Sequence, residues 1–487
     1  MGECECGCEC ECGCEATVNE VPEAKSAQLT WHVGDETIDY VATAGHLDIV
    51  DRDKVLEGRM FNVSYVATAI DGSEVDPHKR PVSFCYNGGP GSASVPINFG
   101  GLGPRRVVTH GMDFVGAGYE VVDNPGTLLR ESDLVFPDAL GTGWSKRVYG
   151  LEEDARTFCR AICQWLDEND RWGSPLYIFG ESYGTMRSAV LMRYLGEAHV
   201  PLAGVVMLSA YYDWTQNLPG NDLYYVGMVP TFASTAQYFG LVGQGVDEDE
   251  WFDRASAFAG GEYARGIFLG DEITPADKDA LAEHLSAFIG LPKDYLLVRN
   301  NRVELEDFRR DLLASRGLVC GRLDQRFTET SLLPSQRASF YFACEDPANH
   351  ALESCWYVAF RDFLRGDLGY EGPEEYRLSV WGEIGIGWNW VHDEPGFDET
   401  TVAAPNLAYD IAVALRRSPT TKLCILGGRY DTATPWWNVR HTMSQLYLPD
   451  ALKRQITWHR YGCGHMAYTD EPTLHAMAAD LHEFYRE

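Results

Sequence analysis

The chain of 487 residues carries 72 acidic against 40 basic side chains, a net charge of −32, with 45% hydrophobic residues. Such acidity disfavours nucleic acid or an anionic membrane as partner, and the apolar share suffices to bury a large core. No run of 18 apolar residues occurs, so no transmembrane helix is expected.

The first 15 residues place Cys4, Cys6, Cys8, Cys10, Cys12 and Cys14 at alternate positions between Glu and Gly. A tail over 1–23 with nothing to bury is expected to be disordered. It has neither the basic start nor the apolar stretch of a secretory signal. Thiols this dense would cross-link outside the cell, so the cytoplasm is the expected location. Dense thiolates beside carboxylates are candidate ligands for Zn²⁺ or Cu(I). Their Cys-x-Cys spacing is not that of zinc folds, and incidental low-complexity sequence is the competing account.

Gln28 to Ile49 and Arg59 to Thr68 alternate as strands and suggest an early antiparallel sheet edge. Later strands are expected at 81–86, 131–137, 175–179, 202–209, 422–426 and 456–461, mostly as continuous apolar runs. Such runs predict an α/β fold with a mostly parallel sheet covered by helices on both faces. The first of these ends in Asn87-Gly88-Gly89-Pro90-Gly91-Ser92, and consecutive glycines can turn backbone N–H groups toward a developing oxyanion.

The run Leu176 to Phe179 leads into Gly180-Glu181-Ser182-Tyr183-Gly184, followed by apolar residues at helical spacing (Met186, Ala189, Val190, Leu191, Tyr194). A G-x-S-x-G between strand and helix predicts a nucleophile elbow with the Ser182 hydroxyl exposed at the turn. A serine needs a base, and the base an orienting acid. Asp431 follows the strand at 422–426, and His465 follows the one at 456–461 within Gly462-Cys463-Gly464-His465. The order Ser, Asp, His is that of α/β-hydrolases. His459 is the rival base, but it falls inside a strand pattern and reads as structural. Between Ser182 and Asp431 the core must be interrupted. A helical insertion is placed at 214–395, with Thr274-Pro275-Ala276-Asp277 starting one helix and Leu281, Leu285, Phe288 and Ile289 forming its apolar stripe. The core segments are then 24–213 and 396–487.

The Asn-Gly-Gly-Pro-Gly run, the Gly-Glu-Ser-Tyr-Gly elbow, Tyr430-Asp431 with Pro435, and Gly464-His465-Met466 together resemble the serine carboxypeptidase family. Asp138 with Gly141-Thr142-Gly143-Trp144-Ser145 looks like a further motif of that family. The stretches Val229-Pro230-Thr231-Phe232-Ala233 and Gly321-Arg322-Leu323-Asp324 look like its bacterial branch. The resemblance runs from about residue 30 to the end. It implies an α/β-hydrolase fold with an inserted helical lid. It implies Ser182 as nucleophile, His465 as general base and acid, and Asp431 as orienting acid. Backbone N–H groups of Gly89 and Tyr183 would line the oxyanion hole, and Asn87 and Glu181 would bind a peptide's free C-terminal carboxylate. Glu181 must then be protonated, which burial beside a second carboxylate would promote. Cys85, Ser92, Ala139 and Cys463 depart from residues common in the family, and Cys85 stands where many members have a Trp, so the resemblance carries over less of the carboxylate-holding network than of the triad.

The expected function is carboxypeptidase-like hydrolysis through an acyl-enzyme, acting on peptides with a free C-terminus and needing no cofactor. An esterase or acyltransferase on the same triad is the alternative. From a different class, a thiol-rich metal-sequestering protein with a vestigial hydrolase body is a further alternative.

Overall fold

The structure, a computed structural model, describes residues 21–50, 56–115, 118–145, 150–330, 346–372, 375–384, 387–395 and 404–486. The Cys-rich segment 1–20 lies outside them, and with it the six tail thiols proposed from sequence as metal ligands.

A ten-stranded sheet organises the molecule. Its strands are β1 (Lys25–Val33), β2 (Glu36–Val50), β3 (Leu56–Ile70), the short β4 (Ser73–Glu74), β5 (Val82–Tyr86), β6 (Asp133–Pro137), β7 (Leu176–Glu181), β8 (Gly204–Leu208), β9 (Lys422–Gly428) and β10 (Ile456–Tyr461). Spatially they run β1-β2-β3-β6-β5-β7-β8-β9-β10, with β4 paired to β3. The first three pair antiparallel, β3 meets β6 antiparallel, and all pairs beyond are parallel. This is the α/β-hydrolase arrangement anticipated from the apolar runs, including the antiparallel edge.

The central strands are mostly apolar because both faces are covered: every residue of β5, β6, β7 and β8 is buried. One face packs against α1 (Leu151–Glu168), α2 (Tyr183–Glu197) and α3 (Ala408–Arg417). The other packs against α4 (Pro347–Gly366) and α5 (Glu471–Arg486), with Phe99 against Phe360 at 5.5 Å. Although α4 lies within the interval 214–395, it is part of this main core.

A separate core forms within residues 224–320. There a helix over Asp222–Tyr238 is buried along most of its length, and Phe232 stacks on Phe308 at 3.8 Å. The helix Pro275–Ile289 starts as its sequence predicts, with Thr274 Oγ1 accepting from the Asp277 N–H at 3.1 Å. Leu281, Leu285 and Ile289 are buried, and Phe288 packs partly buried beside them. No helix among the described residues is long and apolar enough to cross a membrane.

Candidate active site

Strand β7 ends at Glu181, and α2 begins at Tyr183, leaving Ser182 alone at the turn with φ +60° and ψ −130°. A non-glycine residue there is strained, so neighbouring contacts must hold it. The Ser182 N–H donates to the Leu208 carbonyl at 3.0 Å, and the Ser182 carbonyl accepts from Thr185 Oγ1 at 2.8 Å. Gly180 is required by close approach, since a Cβ on it would stand 2.4 Å from the Gly184 carbonyl oxygen. The Ser182 side chain is half-buried, and its hydroxyl has no hydrogen bond among the described residues. Tyr183 opens the helix, so its N–H has no acceptor inside it.

Two loops at the ends of β9 and β10 bring Asp431 and His465 together. The Asp431 carboxylate is fully buried and accepts from the N–H groups of Ala433 and Thr434 at 2.8 and 3.0 Å and from Thr434 Oγ1 at 2.6 Å. Its Oδ2 lies 2.8 Å from His465 Nδ1. The His465 loop is tied at its backbone, the N–H donating to the Leu323 carbonyl at 2.7 Å and the carbonyl accepting from Ser209 Oγ at 2.6 Å. Burial disfavours an imidazolium here, but the Asp431 carboxylate outweighs it and holds His465 above its ordinary pKa. Burial likewise opposes ionised Asp431, but His465 and Thr434 hold its pKa below the usual value. His459 lies in β10 and pairs with Asp480 at 3.1 Å, away from this pair.

Across β7 from these loops, the turn after β5 carries Asn87 to Ser92. Asn87 Oδ1 accepts from the Ile97 N–H at 2.9 Å. Gly88 lies against the elbow itself: a Cβ there would stand 2.5 Å from the Tyr183 nitrogen. Gly89 and Gly91 both have positive φ, at +106° and +86°. Glu181 is almost fully buried, and the Tyr468 hydroxyl donates to its Oε2 at 2.9 Å. Burial pushes the Glu181 carboxyl up to about 7, opposed by His465, Tyr468 and Asn87 and reinforced by Asp431. Beneath the elbow, the fully buried Arg187 donates to the Asn87 carbonyl at 2.9 Å and pairs with Asp154 at 2.7 Å. Asp154 also accepts from the Tyr183 hydroxyl at 3.0 Å, so one buried ion pair ties both flanks of the elbow.

A family model described as serine carboxypeptidase matches residues 37–213, the span holding Asn87, Glu181 and Ser182 but not Asp431 or His465. A prohormone-processing carboxypeptidase from Saccharomyces cerevisiae superposes with a TM-score of 0.52 at 13% identity, covering 92% of this chain and 91% of the yeast protein. The chain has an α/β-hydrolase fold similar to that of a serine carboxypeptidase. A putative aryl esterase from Burkholderia cenocepacia is more distant, with a TM-score of 0.37 at 12% identity over 91% of this chain and 98% of that one. No curated protein matches the sequence.

Within this serine-carboxypeptidase-like fold, several site residues carried no sequence signal. Tyr468 lies in a short turn after His465, and its ring fills the space that Gly100 and Gly101 leave by lacking a Cβ. Thr434, in the loop after β9, also approaches His465 Nδ1 at 3.2 Å and belongs to no motif. Arg187 interrupts the apolar spacing of α2, and that break was the available clue. Cys85 is fully buried in β5 with its thiol pushed well above its ordinary pKa, and it packs in the main core.

Proposed function

We propose that this hydrolase releases C-terminal residues from peptides through an acyl-enzyme on Ser182. His465 takes the Ser182 proton as the hydroxyl attacks the scissile carbonyl, then gives it to the leaving amine, while Asp431 holds the ring with Nδ1 protonated. Water enters by the same path in reverse. The N–H groups of Gly89 and Tyr183 stabilise the oxyanion, and aligned donors of this kind contribute several kcal/mol, roughly 3 each. Asn87 and Glu181 hold the terminal carboxylate beside the elbow. The part of 214–395 with its own core, within 224–320, acts as a lid, and the Trp388 and Trp390 rings pack on Tyr183 at 5.6 and 5.9 Å beside the elbow.

The observation carrying the exopeptidase reading is Glu181. A carboxyl buried next to a nucleophilic serine, with its pKa raised to about 7, is a hydrogen-bond donor at acid pH. That chemistry suits a carboxylate ligand and serves no step of acyl transfer itself. Labelling by a fluorophosphonate followed by peptide mapping tests the nucleophile: the adduct is expected on Ser182. Labelling elsewhere, with Ser182→Ala still active, would overturn the assignment.

A further inference from the structure

The turn 321–324 is wedged between the two loops of the Asp–His pair. The Arg322 carbonyl accepts from the Thr432 N–H at 3.2 Å and from Thr432 Oγ1 at 2.6 Å, while the Leu323 carbonyl holds the His465 N–H. The Arg322 side chain is half-buried, and its guanidinium has neither an ion pair nor a hydrogen bond among the described residues. Its neighbours in sequence and space are paired: Arg309 with Glu306, Arg326 with Asp324, Arg429 with Glu248. A half-buried guanidinium left unpaired among the described residues is free to take an anion.

Tyr211 supplies a second, independent observation. It follows β8, is only 7% exposed, and its hydroxyl has no hydrogen-bond partner among the described residues. Its backbone is fixed to the elbow helix through Thr185 Oγ1, which accepts from the Tyr211 N–H at 2.9 Å. Charges of both signs act on the Tyr211 phenol, the Asp213 carboxylate ahead of the Arg322 guanidinium, and Arg322 acts on His465 as well. Among the described residues, a buried phenol with no hydrogen-bond partner thus sits on a segment tied to the elbow helix, and a half-buried guanidinium with no ion pair sits on a turn tied to the His465 loop.

Topology gives the direction. Asn87 follows β5, on one side of β7 and Ser182, whereas Tyr211 follows β8, on the other. If the terminal carboxylate binds at Asn87 and Glu181, the other side holds the acyl part of the peptide. We propose that Arg322 and Tyr211 form an anion subsite on the acyl side of Ser182, selecting peptides with Glu or Asp just before the scissile bond. The assignment of side rests on the carboxypeptidase reading, but the anion subsite itself does not.

The test compares N-acylated Glu-Phe with Gln-Phe in wild type, Arg322→Gln and Tyr211→Phe. Ratios of kcat/KM within each enzyme cancel any effect of Arg322 on His465. Wild type should favour the Glu peptide about ten-fold or more, the scale of a charge-assisted hydrogen bond. Arg322→Gln should bring the ratio near unity, and Tyr211→Phe should lower it in part. In Ser182→Ala the same ratio should appear in Kd, so turnover is not needed. Equal affinity for both peptides, or a ratio untouched by Arg322→Gln, would overturn the subsite. An Arg322-dependent preference for Glu only at the C-terminal position would overturn its placement on the acyl side. Nitrophenyl esters of N-acyl-Glu and N-acyl-Gln separate the two readings, because they lack a terminal carboxylate. Arg322-dependent selectivity on esters alone would keep the subsite and remove the carboxypeptidase.

Discussion

Glu181 and His465 place opposite demands on pH. As a base His465 must be neutral, and Asp431 holds its pKa above the ordinary value, so activity should rise with pH as the imidazolium loses its proton. Glu181 must keep its proton to bind a carboxylate, so binding should weaken as pH rises through about 7. For free-acid peptides kcat/KM should therefore follow a bell, while esters should show the rising limb alone. Glu181→Gln keeps a donor that cannot ionise and should remove the falling limb. Tyr468→Phe should move that limb to higher pH, because the Tyr468 hydroxyl favours the charged carboxylate. Unmoved profiles in both variants would mean that Glu181 does not bind the substrate. Ser182→Ala should lower kcat by about 10⁴-fold or more, with His465→Ala costing about as much and the pair adding little. The sequence announced Ser182, Asp431 and His465 because each sits after a strand in a fixed order. Tyr468 meets Glu181, and the backbone of Arg322 meets Thr432, through loop packing between distant segments, and no local spacing encodes that.

At the scale of elements, the elbow and the glycine turn depend on backbones in contact. A Cβ on Gly88 would meet Tyr183 N at 2.5 Å, Gly184 N at 2.6 Å and the Glu181 carbonyl at 2.7 Å, none of which can swing away. Gly88→Ala should therefore destabilise by about 1–3 kcal/mol and displace the oxyanion donors, lowering kcat more than it raises KM. Gly261→Ala, with open space around its Cβ, is the matched control and should change neither. Melting curves and steady-state kinetics of the two variants check this, and equal behaviour would contradict it. Central strands were legible in the sequence as apolar runs, since burial on both faces leaves no alternation to misread. The helix Pro347–Gly366 was less so: its buried residues look alike whether they cover a lid or the main sheet, and only packing against Phe99 and its neighbours decides.

For the whole molecule, buried carboxyls set the pH dependence of stability. Burial raises both Glu181 and Asp138 to about 7, so between roughly pH 4 and 7 the folded state holds protons that the unfolded chain has released. Their contribution is full at acid pH and is lost as pH rises through 7. Glu152 works in the other direction: burial raises its pKa, but His392 and Tyr194 outweigh this and bring it down to about 2, so its stabilisation is full above the unfolded value and is lost as pH falls from there through about 2. Through these groups stability should peak near roughly pH 4–5 and fall by about pH 7, with Asp138→Asn flattening the fall; urea unfolding across pH measures it, and a rise from about pH 5 to 7 that Asp138→Asn leaves unchanged would contradict it. Deleting residues 1–23 should leave hydrolysis intact and remove any Zn²⁺ or Cu(I) that the full chain binds, as metal analysis of both forms would reveal.

The proposed exopeptidase activity turns on a protonated Glu181 beside Ser182. Its most direct measurement is kcat/KM for one peptide with a free C-terminal carboxylate and for the same peptide amidated, below and above pH 7. The free acid should be strongly preferred at the lower pH, and the preference should shrink as Glu181 ionises. Equal turnover of acid and amide at every pH would contradict the account and leave a general acyl hydrolase.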